Sequence, residues 1–385
     1  MESIPYDKRS GKIWFNGKTV EWKDANIHIL NHGLHYASCV FEGERVYDGE
    51  IFKLEEHTER LFYSAKRMGI EVPFSQNDIN EACKNIVNIQ KVQNGYVRPL
   101  IWRGSEMMAI SAQKNKIHVL NHGLHYASCV FEGERVYDGE IFKLEEHTER
   151  LFYSAKRMGI EVPFSQKEIN EACKSIINIQ KVTNGYVRPV IWRGSEMMAI
   201  SAQKNKIHVA IAAWEWGSYF DPKLKLKGIK LNISSWRRPN PNSVPWDTKA
   251  AGLYMICTLS KHEAESKGFT DSLMLDHEGN VAEATGANIF FKNNQGELHT
   301  PTPDSFLDGI TRREVIKIAK NKGIKIIEKK IKPEDMNNYI GCFLTGTAAE
   351  ITPVSQIDNY NFKICNIITD LNDSYQALVR KKSAA

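Results

Sequence analysis

Four short stretches in the second half of the chain carry side chains suited to chemistry. A lysine sits among small residues in Thr248-Lys249-Ala250-Ala251-Gly252, and a carboxylate in Ala282-Glu283-Ala284-Thr285-Gly286. Two Gly/Thr turns follow, Gly309-Ile310-Thr311 and Thr345-Gly346-Thr347-Ala348-Ala349. Each has a plain reading when taken singly. A lone lysine is usually a solvated charge, Glu283 fits the end of a hairpin, and Thr311 fits a helix N-cap. Together they make an anion-plus-electrophile set. A helix start and a Gly/Thr turn offer N–H donors to an anion, while a lysine amine can form a Schiff base with a carbonyl.

The elements that must position these residues are legible from hydrophobic spacing. IKLNISSW, DSLMLD, NIFF, IKIIEKK and CFLTG read as strands, and residues 250–266, 312–322 and 366–380 as helices. Turns at His277-Glu278-Gly279-Asn280 and Asn293-Asn294-Gln295-Gly296 separate them. Nearer the start, residues 12–22 read as a hairpin turning at Asn16-Gly17.

Between the hairpin and these strands lies a tandem repeat. Residues 30–119 recur at 120–209 with six differences: Asn77/Lys167, Asp78/Glu168, Asn85/Ser175, Val87/Ile177, Gln93/Thr183 and Leu100/Val190. Two copies of ninety residues are not a solenoid, whose units run to roughly 20–50 residues and number at least three. The flanks Ile27-His28-Ile29, Ile117-His118-Val119 and Ile207-His208-Val209 are near-identical, as a slip or crossover would leave them. Each copy reads as an α+β module. CVFEGERVYDGEIFKL leads into a helix with Leu61, Ala65 and Met68 on one face, and a second helix starts at Ser75 or Ser165. Ser165 with Glu168 has capping-box spacing, and Gly185 closes that segment. YVRPVIWRG and KIHVAIAAW then read as strands. The expected domains are a hairpin plus first copy (1–119), a second copy (120–209) and a larger α+β domain (210–385), with a linker at about 214–219.

The 385 residues are 42% hydrophobic and 25% charged, within the range of a globular protein. The net charge of +5 is spread among alternating signs, which argues against a nucleic-acid surface. Seven cysteines lack CxxC spacing and read as thiols of a reducing compartment. The opening MESIPYDKRSGK has no apolar h-region. The expectation is a cytoplasmic protein without a membrane span.

Glu283-A-T-G-A-Asn288-I-F, Leu298-H-Thr300 and Leu307-D-Gly309-Ile310-T-Arg312 resemble the signature of class-IV aminotransferases, the fold-type-IV pyridoxal-phosphate enzymes. Lys249-x-x-Gly252-x-Tyr254, Gly346-Thr347-Ala348-Ala349-Glu350, Tyr186-Val187-Arg188-Pro189 and Phe131-Glu132-Gly133 extend the resemblance to the branched-chain amino-acid aminotransferases. It runs through nearly the whole chain apart from the extra copy. It implies a small α/β domain and a larger α+β domain with the cofactor at their interface, and a homo-oligomer acting on small amino and 2-oxo acids.

By this resemblance Lys249 is the Schiff-base lysine and proton shuttle, Glu283 the partner of the pyridine nitrogen, and Tyr254 the partner of the phenolic oxygen. Leu307, Ile310, Thr311 and Thr347 surround the cofactor, and Arg150 completes its phosphate site. Without the resemblance, Arg150 would read as an i,i+4 surface partner of Glu146, worth about 0.3–0.5 kcal/mol. Tyr186, Thr347 and Ala348 face the α-carboxylate, Arg188 the distal carboxylate of glutamate, and Tyr126, Phe131 and Tyr219 form an apolar wall. Read blandly, these aromatics are core packing. The chain departs from many relatives at Ala251, Gly252 and Leu253.

The first copy carries equivalents of the repeat-borne residues: Arg60, Tyr36, Phe41, Tyr96 and Arg98. Lys249 and Glu283 occur once, so one copy at most completes a site. The second copy, which runs without interruption into the linker, is the expected one. The reaction implied is transamination of branched-chain L-amino acids with 2-oxoglutarate. The alternatives are a D-amino-acid transaminase, an aminodeoxychorismate lyase, or an inactive duplication product.

Overall fold

The computed structural model describes residues 4–104 and 116–380. Contacts divide the chain into two compact units, residues 1–129 with 191–210 and residues 130–190 with 211–385. These divisions differ from the sequence boundaries at 119/120 and 209/210. Two of them, at 129/130 and 190/191, fall inside the second copy and the third, at 210/211, just beyond it; the strands Gly185–Arg193 and Ile207–Glu215 each run across a division. The latter strand also takes up the start of the expected linker at 214–219.

In the first unit the hairpin forms between Lys12–Phe15 and Lys18–Glu21. Asn16 and Gly17 both adopt positive φ, 48° and 88°, as a two-residue primed turn requires. The first copy then contributes helices α1 (His32–Tyr36), α2 (Leu54–Arg67) and α3 (Gln76–Ile89). Leu61 and Ala65 of α2 are fully buried, with Met68 half-buried just past its end. The second copy repeats them as α4 (His122–Tyr126), α5 (Leu144–Arg157) and α6 (Gln166–Ile179). Capping boxes start both second helices, Ser165 with Glu168 as expected and Ser75 with Asp78 in the first copy. Such a cap contributes about 1 kcal/mol.

The second unit holds a sheet of nine strands. Its main path runs Val281–Ala284, Asp271–Leu275, Ile229–Arg237, Glu350–Ile357, Tyr339–Gly346, Asn288–Asn293, Leu298–Pro301 and Ile326–Lys329, with Tyr360–Asn361 paired to Glu350–Ile357. Helices α7 (Pro222–Lys227), α8 (Met255–Ser266), α9 (Ile310–Asn321) and α10 (Asn366–Val379) accompany it. All five strands and three helices read from spacing in this region are present. Val281–Ala284, Leu298–Pro301 and Glu350–Ile357 were not anticipated as strands. VAEA and LHTP are short and almost wholly buried, and Pro353 interrupts the β pattern of the third. Residues 251–254 form a 3₁₀ turn before α8 instead of its first helical turn.

The sheet carries two apolar clusters. One includes Leu231, Leu273, Ile289, Phe291, Leu344 and Val354. The other joins Phe290, Phe343 and Ile351 to Val315 of α9 and to Leu371 and Tyr375 of α10. Tyr137 of the second copy belongs to this cluster, and its hydroxyl donates to Glu350 Oε1 at 2.9 Å. The seven cysteines are all free thiols, five of them buried.

Candidate active site

A cavity in the second unit has about 730 Å³ of atom-free space, its solvent-open mouth included. Lys249 enters it from the loop before α8. Its backbone N–H donates to Ser154 Oγ of α5 at 3.0 Å, and its carbonyl accepts from the Phe131 N–H at 3.2 Å. The side chain is thus held at both backbone ends. Its Nζ donates to Tyr254 Oη at 2.7 Å and lies 4.9 Å from the centroid of each ring, Phe131 and Tyr254. Burial lowers the amine from 10.5 to about 7. Glu132 opposes that shift, whereas Arg150 and Arg188 add to it. An uncharged amine near neutral pH is a competent nucleophile and base. Burial also pushes the Tyr254 phenol well above its usual range.

Glu283 occupies a second wall, on Val281–Ala284. The register slips between Met274 and Leu275, a bulge of the kind that re-aims a side chain. Glu283 Oε1 lies 3.5 Å from Arg238 Nε, and Asn288 Nδ2 donates to its Oε2 at 3.3 Å. Burial raises the carboxyl to about 7, with the Arg238 and Lys249 charges opposing. A proton-bearing cationic nitrogen in this corner would relieve that cost.

At the start of α9, Gly309 is the N-cap and supplies no side-chain cap, so the first turn keeps donors for a ligand. A Cβ on Gly309 would come 2.2 Å from Asn288 Oδ1, which accepts the Gly309 N–H at 3.1 Å. Gly346, Thr347 and Ala348 line the same cavity, and Thr345 Oγ1 is buried there without a hydrogen-bond partner. Arg150 adds a fixed positive charge. Its Nε and Nη2 donate to Glu132 at 2.6 and 2.9 Å, and His147 Nδ1 meets Glu132 at 2.7 Å. Burial alone would raise the Glu132 carboxyl, but the Arg150 and His147 charges outweigh it and hold it far below the ordinary range.

Lys249, Arg150, Tyr254, Glu283, Leu307, Ile310, Thr311, Thr347, Ala348 and Tyr186 are therefore all brought to one cavity. Tyr186 packs its ring on Trp216 and Trp214, and a Cβ on Gly133 would stand 1.7 Å from its hydroxyl, so only glycine leaves room there. Phe131 and Arg188 are buried behind the lining, the guanidinium 4.6 Å from the Phe131 centroid. Tyr219 is 43% exposed and packs on Trp216 and Phe220, outside the lining. Tyr126 belongs to the other unit, where its hydroxyl donates to the Met198 carbonyl at 3.2 Å. The surface pairing considered for Arg150 is not formed, because Glu146 is taken by Lys143.

Arg238 and Glu132 escaped the sequence reading as site residues. Arg238 adjoins another arginine and carries no distinguishing spacing. Glu132 stands inside Phe131-Glu132-Gly133, and only the fold shows that it is buried beside Arg150 and His147. No group of three or more metal-ligating side chains occurs among the described residues.

The enclosed Lys249 amine makes one stability prediction for the protein without cofactor. Its folded value of about 7 lies below the ordinary lysine value of 10.5, so the unfolded chain binds more protons between those limits. Stability from this group therefore rises with pH across that window. Denaturant titrations should show the difference between wild type and Lys249→Met changing steadily from pH 7 to pH 10, in the direction that favours wild type as pH rises; a constant difference would refute the shift.

Residues 39–128 and 129–357 each match the family described as amino-transferase class IV. A probable branched-chain-amino-acid aminotransferase of Rickettsia felis is 41% identical over 285 residues, covering 73% of this chain and 96% of the relative. The branched-chain-amino-acid aminotransferase of Pseudomonas aeruginosa is 40% identical over 263 residues, covering 67% and 85%. A crystal structure of the T.th. branched-chain amino acid aminotransferase with pyridoxamine 5′-phosphate superposes with a TM-score of 0.68 at 36% identity, covering 71% of this chain and 92% of that one. With the relatives matched almost end to end and a second match beginning inside the repeat, the chain belongs to the class-IV aminotransferases, with one segment present twice.

Proposed function

We propose that this chain transfers the amino group of leucine, isoleucine or valine to 2-oxoglutarate, using pyridoxal 5′-phosphate. The observation that carries this reading is the single cavity joining the enclosed Lys249 amine, the Glu283–Arg238 pair and the start of α9 beside Arg150. The donor set fits the cofactor at three points. Arg150, Thr347 and the N–H groups of Ile310 and Thr311 would hold a phosphate, Glu283 a protonated ring nitrogen, and Tyr254 a phenolic oxygen. When bound, pyridoxal phosphate supplies an electron sink for the amino acid's Cα.

The chain's own residues do the rest. Lys249 Nζ takes the proton from Cα and returns it, which its lowered basicity suits near neutral pH. Glu283 pairs with the proton-bearing ring nitrogen, and the Arg238 charge beside it opposes the burial that raises the Glu283 carboxyl. Tyr186 with the N–H groups of Thr347 and Ala348 receives the α-carboxylate. By the resemblance Phe131 meets the branched side chain and Arg188 the distal carboxylate of glutamate; the two lie against each other behind the lining. The homo-oligomer implied by the resemblance is part of the same reading. Among the described residues no helix is long and apolar enough to cross a membrane.

A transaminase runs in two halves, so leucine alone should convert the absorbance of the bound cofactor, and 2-oxoglutarate should restore it. An unchanged spectrum with leucine, isoleucine and valine would overturn the assignment.

A further inference from the structure

Within the unit formed by residues 1–129 and 191–210, the two copies meet like against like. Asn26–His28 pairs antiparallel with Lys116–His118, placing Ile27 opposite Ile117, Asn26 opposite His118 and His28 opposite Lys116. With the ninety-residue offset, Ile27 and Ile117 are the same position. An antiparallel pair centred on equivalent residues has a local two-fold axis through its centre. The short helices that follow obey the same axis. A Cβ on Gly33 of α1 would stand 2.9 Å from Leu124 Cδ1, and one on Gly123 of α4 would stand 2.9 Å from Leu34 Cδ1. Residue i touches j and j touches i, the hallmark of an isologous contact. Ile27, Leu34 and Leu124 are all buried. None of the six differing positions takes part; at the same offset the strands differ at Asn26/Lys116, so the two halves match at Ile27/Ile117, His28/His118 and the HGLHY turns.

The contact reaches residues of chemical interest. Arg98 of the first copy donates to Tyr126 Oη of the second at 3.1 Å, and Phe41 meets the Tyr126 ring edge-on at 5.4 Å.

We infer that the duplication closes a self-complementary interface inside one chain, the first copy serving as docking partner for the strand and helical turn that open the second. An isologous patch normally joins two molecules. Here both halves are covalently linked and already paired with each other, with Ile27, Leu34 and Leu124 buried, so the patch is not free for a second chain. Association between chains must then use another face. The first copy is thus a built-in partner for Tyr126.

Cysteine cross-linking of the full chain tests this. Oxidised Ile27→Cys/Ile117→Cys should form a disulfide within one chain, running as a monomer and yielding a linked 27–117 peptide on digestion. Ile27→Cys alone and Ile117→Cys alone should give no covalent dimer beyond that of oxidised wild type. Covalent dimers from either single variant would mean that like pairs with like between chains, and would overturn the inference. So would absence of the 27–117 link. The neighbouring opposed pair His28→Cys/Lys116→Cys provides an independent reading of the same register, with the same two outcomes.

Discussion

Lys249→Ala is expected to lower turnover by about 10²–10⁴-fold, the range for losing a positioned proton-transfer group, and to abolish covalent attachment of the cofactor. The argument rests on the environment of the amine. Backbone hydrogen bonds to Ser154 and Phe131 anchor the residue on both sides, and Tyr254 fixes the amine at 2.7 Å. Burial, reinforced by Arg150 and Arg188, brings the amine to about 7, where both protonation states are populated at neutral pH. Steady-state turnover with leucine and 2-oxoglutarate, together with the mass of borohydride-reduced protein, checks the prediction. Turnover within tenfold of wild type would remove Lys249 from its assigned role. Lys249→Arg should be as slow, because a guanidinium stays protonated and cannot accept a proton near neutral pH.

The second large effect compares two arginines with the same sequence neighbours. Arg150→Ala should weaken cofactor binding by about 10–100-fold, equivalent to about 1.5–3 kcal/mol for hydrogen bonds to a charged group. Arg60→Ala should change it by less than about twofold. Both guanidiniums pair with a glutamate eighteen residues upstream, Glu132 or Glu42. Their surroundings differ. The Arg150 side chain is 11% exposed and lines the cavity, whereas that of Arg60 is 64% exposed. Arg150→Ala also takes from the fully buried Glu132 one of its two charged partners, leaving His147, whereas Glu42 pairs with a guanidinium that faces water and keeps His57, so the stability loss should be larger for Arg150→Ala. Equilibrium titration with pyridoxal phosphate, beside denaturant melts of both variants, separates binding from folding. Equal binding losses for the two variants would show that the second copy does not hold the cofactor.

The contrast between the copies bears on how much was readable beforehand. The hairpin at Asn16-Gly17, the capping boxes, the strands flanking Glu283 and the start of α9 all follow from short windows of sequence. Local signals repeat faithfully in the two copies. Lys53 and Lys143 both take positive φ at the start of a helix. The ladder Glu44↔Val97, Arg45↔Tyr96 recurs as Glu134↔Val187, Arg135↔Tyr186. Arg238, Glu132 and the strand Glu350–Ile357 were not legible, because each owes its place to partners distant along the chain.

The sequence by itself determined the family, the repeat and the kind of chemistry, since motif order and side-chain type are local properties of the chain. Chain continuity pointed to the second copy, but only the tertiary structure shows that Arg150 and Tyr186 line the cavity while Arg188 is buried behind it. Tyr137 is 1% exposed where its twin Tyr47 is 50% exposed, and Tyr186 is 6% exposed against 51% for Tyr96. Identical windows fold to the same local geometry. Burial, and with it the shifted pKa values and the charge pairing of the cavity, comes from contacts with residues far away in sequence, which no rule applied to a window can assign to one copy over the other.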